Sequence, residues 1–153
     1  MDWFERLSRN RYIEAIILAN NQGSLLRASP PLGNQDEVLP SMLQALEVLA
    51  QTLTGELGCG EARMVHISTE QGHLMLFPLI GSTYYLAVMV ELNAPLALIM
   101  IELDRTLRDL RPDELAAYEA PFTLPEEADD LDAREIIEAV QDWLKRRPPA
   151  NRG

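Results

Sequence analysis

Chemistry needs polar groups that a fold can bring together, so histidine, cysteine, serine and the carboxylates come first. The chain has two histidines, His66 and His73, and one cysteine, Cys59. The histidines fall on neighbouring strands of one predicted hairpin. A turn centred on Gln71-Gly72 sets Glu70 opposite His73 and His66 opposite Phe77, which keeps the imidazoles apart. They then read as half-exposed strand residues, not as a metal or acid–base pair. A lone cysteine excludes an internal disulfide and a cysteine-based zinc site. Ser24, Ser29, Ser41, Ser68 and Ser82 have no surrounding motif that would activate a nucleophile. Neither common glycine-rich phosphate loop is present. The carboxylates cluster between Asp113 and Asp130, where they read as solvated charge. The sequence therefore points to no catalytic residue, no cofactor and no metal: a protein that is not an enzyme.

Composition narrows the partners. The formal net charge is −11, which argues against nucleic acid or an anionic membrane surface, since both require basic patches. No uncharged apolar run reaches the ~20 residues of a membrane helix. The longest, Leu92 to Ile101, contains Asn93 and Pro95. The opening MDWFERLSRN lacks a signal-peptide core. A reduced, cytoplasmic protein without membrane insertion is the expectation. At 153 residues with 47% hydrophobic content, one domain with a real core is expected, with room for an appendage.

The elements follow from periodicity. Met1 to Ser8 can form a short helix with Trp3, Phe4 and Leu7 on one face, stable only if docked. Tyr12 to Ala19 and Ser24 to Ser29 read as a hairpin around Asn20-Asn21-Gln22-Gly23. In the first strand Ile13, Ala15 and Ile17 share one face and Ile16 and Leu18 the other, which marks a strand covered on both sides. Ala62 to Ser68, His73 to Ile80 and Tyr84 to Leu92 form an antiparallel meander. Tyr84 and Tyr85 straddle the last strand, so one of them is expected in the core. Asn93-Ala94-Pro95 opens an amphipathic helix with Leu96, Ile99, Met100, Leu103, Leu107 and Leu110 on its stripe.

The longest periodic stretch is Glu37 to Leu57. Asp36 is its expected N-cap, Pro40 falls in its first turn, and Gly58 and Gly60 end it. Its apolar arc is wider than one packing face needs, with Val38, Leu39, Met42, Leu43, Leu46, Leu49, Ala50 and Leu53 spread around most of the girth. One face is expected to cover the sheet and another to meet a second molecule. The residues assigned to that dimer or partner contact are Leu39, Met42, Leu43, Leu46, Leu49, Ala50 and Leu53. Gln44, Glu47 and Gln51 are assigned as its partner-facing polar residues.

From Arg111 the composition changes. Residues 111–130 read as an acidic, proline-containing extended linker. Residues 131–153 read as a last amphipathic helix and tail, in which Ile136, Val140 and Trp143 form a docking stripe for the domain or for a partner.

This order of helix, two strands, long helix, three strands and helix resembles the Roadblock / dynein light chain family. IILANNQGSLLRAS is similar to that family's opening hairpin. RMVHISTEQGHLMLFPLIGSTYYLAVMVELNAPLALIMIELDRTL is similar to the remainder, through its two glycine turns, its apolar fifth strand and its Asn-Ala-Pro-Leu helix entry. The resemblance covers roughly residues 5 to 110, so residues 1–110 are taken as the domain. It implies an α+β, Roadblock/profilin-like fold: a five-stranded antiparallel sheet with the long helix on one face and the terminal helices on the other. It also implies homodimers in which long helices pair and sheets join at an edge. Bacterial MglB-like members bind a Ras-like small GTPase through a surface that includes the paired helices, and stimulate hydrolysis with no nucleotide site of their own. The implied function is a homodimeric regulator of such a GTPase. The alternatives are a scaffold of the same fold without GTPase activity, or a small-molecule sensor, the last disfavoured because Leu, Ile and Met fill the inward positions.

Overall fold

The computed structural model describes residues 2–33, 38–119 and Gln141. In chain order the elements are α1 (Trp3–Ser8), β1 (Ile13–Asn20), β2 (Leu25–Ser29), α2 (Leu39–Glu56), β3 (Val65–Ser68), β4 (Gly72–Leu79), β5 (Tyr84–Glu91), α3 (Leu96–Arg108) and α4 (Pro112–Ala116). A 3-10 turn follows at Ala117–Glu119. The five strands form one antiparallel sheet ordered β2-β1-β5-β4-β3. The α+β class and strand count expected from the sequence are those observed.

The sheet is apolar on both faces, so both must be covered. On one face Phe4 and Leu7 of α1, Ile99 and Leu103 of α3 and Leu115 of α4 pack onto Ile16, Leu18, Met75, Leu86 and Val88. On the other face Leu43 of α2 packs onto Ile17, Leu25, Ala28, Leu76, Tyr85 and Ala87. β5 serves both layers. Tyr84 belongs to the first core and Tyr85 to the second, so both tyrosines are buried where only one was expected. Burial, and next the Glu47 carboxylate nearby, push the Tyr85 phenol up. Ile13 also departs from simple alternation. The register of β1 against β5 shifts between Ile13 and Ala15. That irregularity moves Ile13 onto the face of Ile16 and Leu18.

Local chemistry explains the ends of α2. Residues 34–37, including the expected cap Asp36, lie outside the described residues. The helix starts after Val38, with Pro40 in its first turn and no side-chain cap. It stops in a Schellman arrangement. Gly58 adopts a positive φ of 70°, its N–H donates to Gly55 O, and Cys59 N–H donates to Thr54 O. The chain then runs to β3 past a two-point clamp. Gln51 Nε2 donates to Ala62 O at 2.8 Å, and Ala62 N–H donates back to Gln51 Oε1 at 3.0 Å.

Residues 111–119 are not the extended linker the composition indicated. Leu115 is fully buried under α4. Tyr118 reaches the polar cluster that ties α1 to β2. Arg27 Nη1 donates to Asp2 Oδ2 and to Tyr118 Oη, both at 2.6 Å, and its guanidinium lies over the Phe4 ring. Tyr118 O–H donates to Asp2 Oδ2 at 3.0 Å. Asp2 also caps α1 by accepting from Glu5 N–H. The low apolar density of the segment is deceptive, because one leucine and one tyrosine suffice to dock a single helical turn. Residues 120–130 and the expected helix at 131–153, with Ile136, Val140 and Trp143, lie outside the described residues, apart from Gln141, which is helical.

Two measurements check this clasp. Leu115→Ala is expected to lower unfolding stability by about 2 kcal/mol in urea titrations, the low end for a buried leucine because a short terminal helix can undock locally. Asp2 has a pH signature. Burial alone would raise its pKa, but the Glu5 N–H, the Arg27 guanidinium and the Tyr118 hydroxyl together hold the carboxyl below its ordinary 3.8. A depressed carboxylate stabilises the fold above its unfolded value, and that contribution fades as pH falls through the folded value. The stability difference between wild type and Asp2→Asn should therefore be constant above ~pH 5 and shrink below 3.8.

Candidate functional site

The residues assigned to the long helix divide into two rows. Leu43 and Glu47 are buried, and Leu39, Leu46 and Ala50 are half-buried, all facing inward. Val38, Met42, Leu49 and Leu53 face outward, and each is more than half exposed. Ala45 continues the outer row and Val48 flanks it, also exposed. The spacing of three and four residues places each row along one side of the cylinder.

Leu43 and the three polar assignments are therefore corrected. Leu43 is core, spent on the chain's own sheet. Glu47 does not face a partner: it is 1% exposed, with Oε1 accepting from Gln51 Nε2 at 2.7 Å. Its Oε2 has no hydrogen-bond partner among the described residues. Gln51 is turned to Glu47 and to the Ala62 backbone. Gln44 donates to Asn21 O in the β1–β2 turn. All three assigned polar side chains are thus engaged within the chain. Polarity on an apolar helix signalled exposure in the sequence, whereas here it fastens the helix to two loops.

The outer row of α2 is not the whole apolar surface on that side. Ile67 of β3 pairs with Leu74 of β4, and Leu74 pairs with Met89 of β5. These residues share the sheet face that α2 covers, because Val65, Leu74 and Leu76 pack with the α2 core. α2 leaves this row partly open: Ile67 and Met89 are exposed and Leu74 is half-buried. The outer row of α2 and the Ile67-Leu74-Met89 row thus supply apolar surface on the same side of the sheet. Sequence reasoning missed the second row. Its signal is alternation on three strands, but the row aligns only in the correct register.

That register also decides the histidines. Thr69, not Gln71, organises the β3–β4 turn. Its Oγ1 accepts from Gln71 N–H and Gly72 N–H and donates to Gly72 O, while Thr69 N–H donates to Gly72 O at 2.8 Å. The loop residues are therefore Glu70-Gln71, and Ser68 stands opposite His73. His66 pairs with Met75, two positions from its expected partner Phe77. The diagonal brings the imidazoles together, with His66 Nε2 3.0 Å from His73 Nδ1. The expectation that they stay apart is corrected. Gly72 permits the close approach of β4 to β5 just after this turn, since a Cβ there would stand 2.6 Å from Val90 O.

β3 is a sheet edge, and its outward backbone groups pair with no other strand among the described residues. The opposite edge, β2, packs against the 3-10 turn. Among the described residues no helix is long and apolar enough to cross a membrane. A groove between α3 and the end of β4 is lined chiefly by Met64, Phe77, Leu79, Met100, Leu107 and Leu110. Its polar lining groups, Arg63, Asp104 and Arg108, include an intrahelical pair, Arg108 to Asp104 at 2.6 Å.

The fold has solved counterparts. A Roadblock/LC7 domain from Streptomyces avermitilis superposes with a TM-score of 0.64 at 19% identity, covering 75% of this chain and 98% of that one. Myxococcus xanthus MglB gives 0.62 at 15% identity, covering 76% and 91%. The gliding protein MglB from Thermus thermophilus gives 0.57 at 18%, covering 68% and 79%. No curated protein matches the sequence. The family model of the Roadblock/LC7 domain matches residues 2–89. That span runs from the cap of α1 through nearly all of β5, and the chain is a member of the Roadblock/LC7 domain family.

Proposed function

We propose that the protein is a non-enzymatic homodimer that binds and regulates a Ras-like small GTPase. The observation that carries the reading is the apolar surface that stands exposed among the described residues on one side of the sheet. Large apolar side chains clustered in the open on one side of a fold mark an association surface. The open β3 edge lies beside Ile67, so pairing of two β3 edges brings two such surfaces together around a two-fold axis. Val38, Met42, Leu49 and Leu53 of each α2 then cover one another, and the remaining helix surface receives the GTPase. Membership of the family, whose fold generally serves regulation and scaffolding, and the fold likeness to MglB proteins support this choice. One solved MglB has a tetrameric arrangement, which is an oligomer of that protein. The acidic charge of −11 suits a basic or neutral partner in the cytoplasm. A scaffold of the same fold without effect on GTP turnover is the second reading, favoured by the absence of any arginine or lysine in α2. No arginine finger is available from that helix, so acceleration through α2 works by positioning the GTPase's own residues.

The dimer is tested at Leu49. It is 64% exposed in the folded chain, so Leu49→Arg should leave the fold intact while placing a charge in the interface. The dissociation constant is expected to rise ~100-fold, read by sedimentation, as for loss of about 3 kcal/mol. A folded Leu49→Arg chain that still dimerises like wild type places the interface elsewhere. For the GTPase, single-turnover hydrolysis by a Ras-like GTPase that the dimer binds should rise ~10-fold with the dimer in excess, well below the 10³–10⁵ range of arginine-finger activation. Binding with unchanged turnover and unchanged nucleotide exchange supports the scaffold instead.

A further inference from the structure

We propose that the groove between α3 and the end of β4 receives the chain's own residues 131–147, seated through Ile136, Val140 and Trp143 and running antiparallel to α3. This docking lies on the sheet face away from α2 and leaves the proposed dimer surface free.

The groove is an unfinished part of the core. Met64, Phe77, Leu79, Met100, Leu107 and Leu110 line it, and all six belong to or pack against the layer that α1, α3 and α4 close. Phe77 and Leu79 are buried, whereas the other four are only half-buried. Beyond β4 the face is bare, since His66 and Ser68 of β3 point to it and are exposed. A helix beside α3, at the ~8–10 Å spacing of packed helices, completes the layer.

The expected stripe has the length of the groove wall. Met100 and Leu107 stand seven residues apart on α3, ~10.5 Å along its axis. Ile136, Val140 and Trp143 follow spacings of four and three, which line one side of a helix over the same ~10.5 Å. Charge sets the direction. The basic groups of the groove are Arg63 and Arg108. Arg108 adjoins Leu107, and Arg63 also shares a cavity with Gly81 and Ser82 of the β4–β5 turn. Arg63 makes no ion pair among the described residues, and Arg108 holds only the exposed Asp104, a pair worth little in water. The approaching chain is acidic at Glu126, Glu127, Asp129 and Asp130, then at Asp132 and Glu135. Placing that end at the arginines sets Ile136 by Leu107 and Trp143 by Met100.

The tether favours this occupant over a free one. Leu115 and Tyr118 already pack on the same face of the sheet. Tyr118 sits at β2, three strand spacings from β4, or ~14 Å. Residues 120–130 can reach as far as ~36 Å, enough to pass around α3. A segment tethered in this way meets the groove at an effective concentration around the millimolar range, which a second copy or a separate protein must outcompete.

The test is disulfide trapping in the full chain, with Cys59→Ser removing the one native thiol. Met100→Cys with Trp143→Cys, and Leu107→Cys with Ile136→Cys, are each expected to close within one chain under a mild oxidant. Met100→Cys with Asp142→Cys, on another side of the helix, should not close, because bridging needs Cα atoms within ~7 Å. In the unmodified chain, amide exchange across residues 136–144 is expected to be slowed, since a short helix alone in water is marginal. Leu107→Glu should speed that exchange at least ~10-fold. Arg63→Glu, an exposed change that spares the core, should speed it ~3-fold. Trapping of covalent dimers in place of closed single chains makes a second copy the occupant and overturns the proposal. Closure of Met100→Cys with Ile136→Cys in preference to Trp143→Cys overturns the direction and the charge argument with it. No trapping beyond the Asp142→Cys control, or exchange across 136–144 that ignores both Leu107→Glu and Arg63→Glu, overturns the groove as the seat.

Discussion

The structure depends on β5 being apolar on both of its faces. Leu86 and Val88 point into one layer and Tyr85 and Ala87 into the other. A strand of that kind cannot lie at a surface, so it needs a neighbour on each side and a helix layer above and below. β1 and β4 take the flanks. α1, α3 and α4 take one face and α2 the other. What α2 then offers to solvent is set by arithmetic on its circumference. One inward row is enough to close the second layer, and the sequence supplies a further apolar row. The surplus exists because the helix is apolar beyond what its own sheet can use.

Much of this was legible in the sequence, and the parts that were not have physical reasons. Long periodic segments and glycine punctuation located every strand and the three longer helices. Which side of α2 faced the sheet was not readable, because apolar residues alone do not distinguish an inner from an outer row. Glu47, Gln44 and Gln51 then pointed the wrong way. A buried carboxylate held by one glutamine breaks the rule that charge marks the outside. The histidine pair was lost to a one-residue displacement of a turn. Thr69 carries no turn signal of the glycine kind, although its hydroxyl gathers two N–H groups and so sets the register of the whole hairpin. The short α4 was lost for the opposite reason. Local composition reads as solvated linker, while the contacts that dock it are remote in sequence: Leu115 in the core under α1 and α3, and Tyr118 of the following 3-10 turn on Asp2 and Arg27.

The same register that joins the imidazoles lines up Ile67, Leu74 and Met89 on the other face. One turn thus sets the side chains on both faces of the β3–β4 hairpin. One face contributes apolar surface beside the long helix, and on the other the two imidazoles hydrogen-bond to each other.

The clasp of Tyr118 on Arg27 has a consequence for where the domain ends. Arg27 stands opposite Leu18 and over the Phe4 ring, on the sheet face that α1 and α3 cover. Tyr118 and Leu115 reach that face from beyond α3 and meet groups near the start of the chain. The family match ends at residue 89, yet side chains as far as Tyr118 close this layer. A chain cut after α3 would take the Tyr118 hydroxyl from Arg27 and Asp2 and would open the core beneath Leu115.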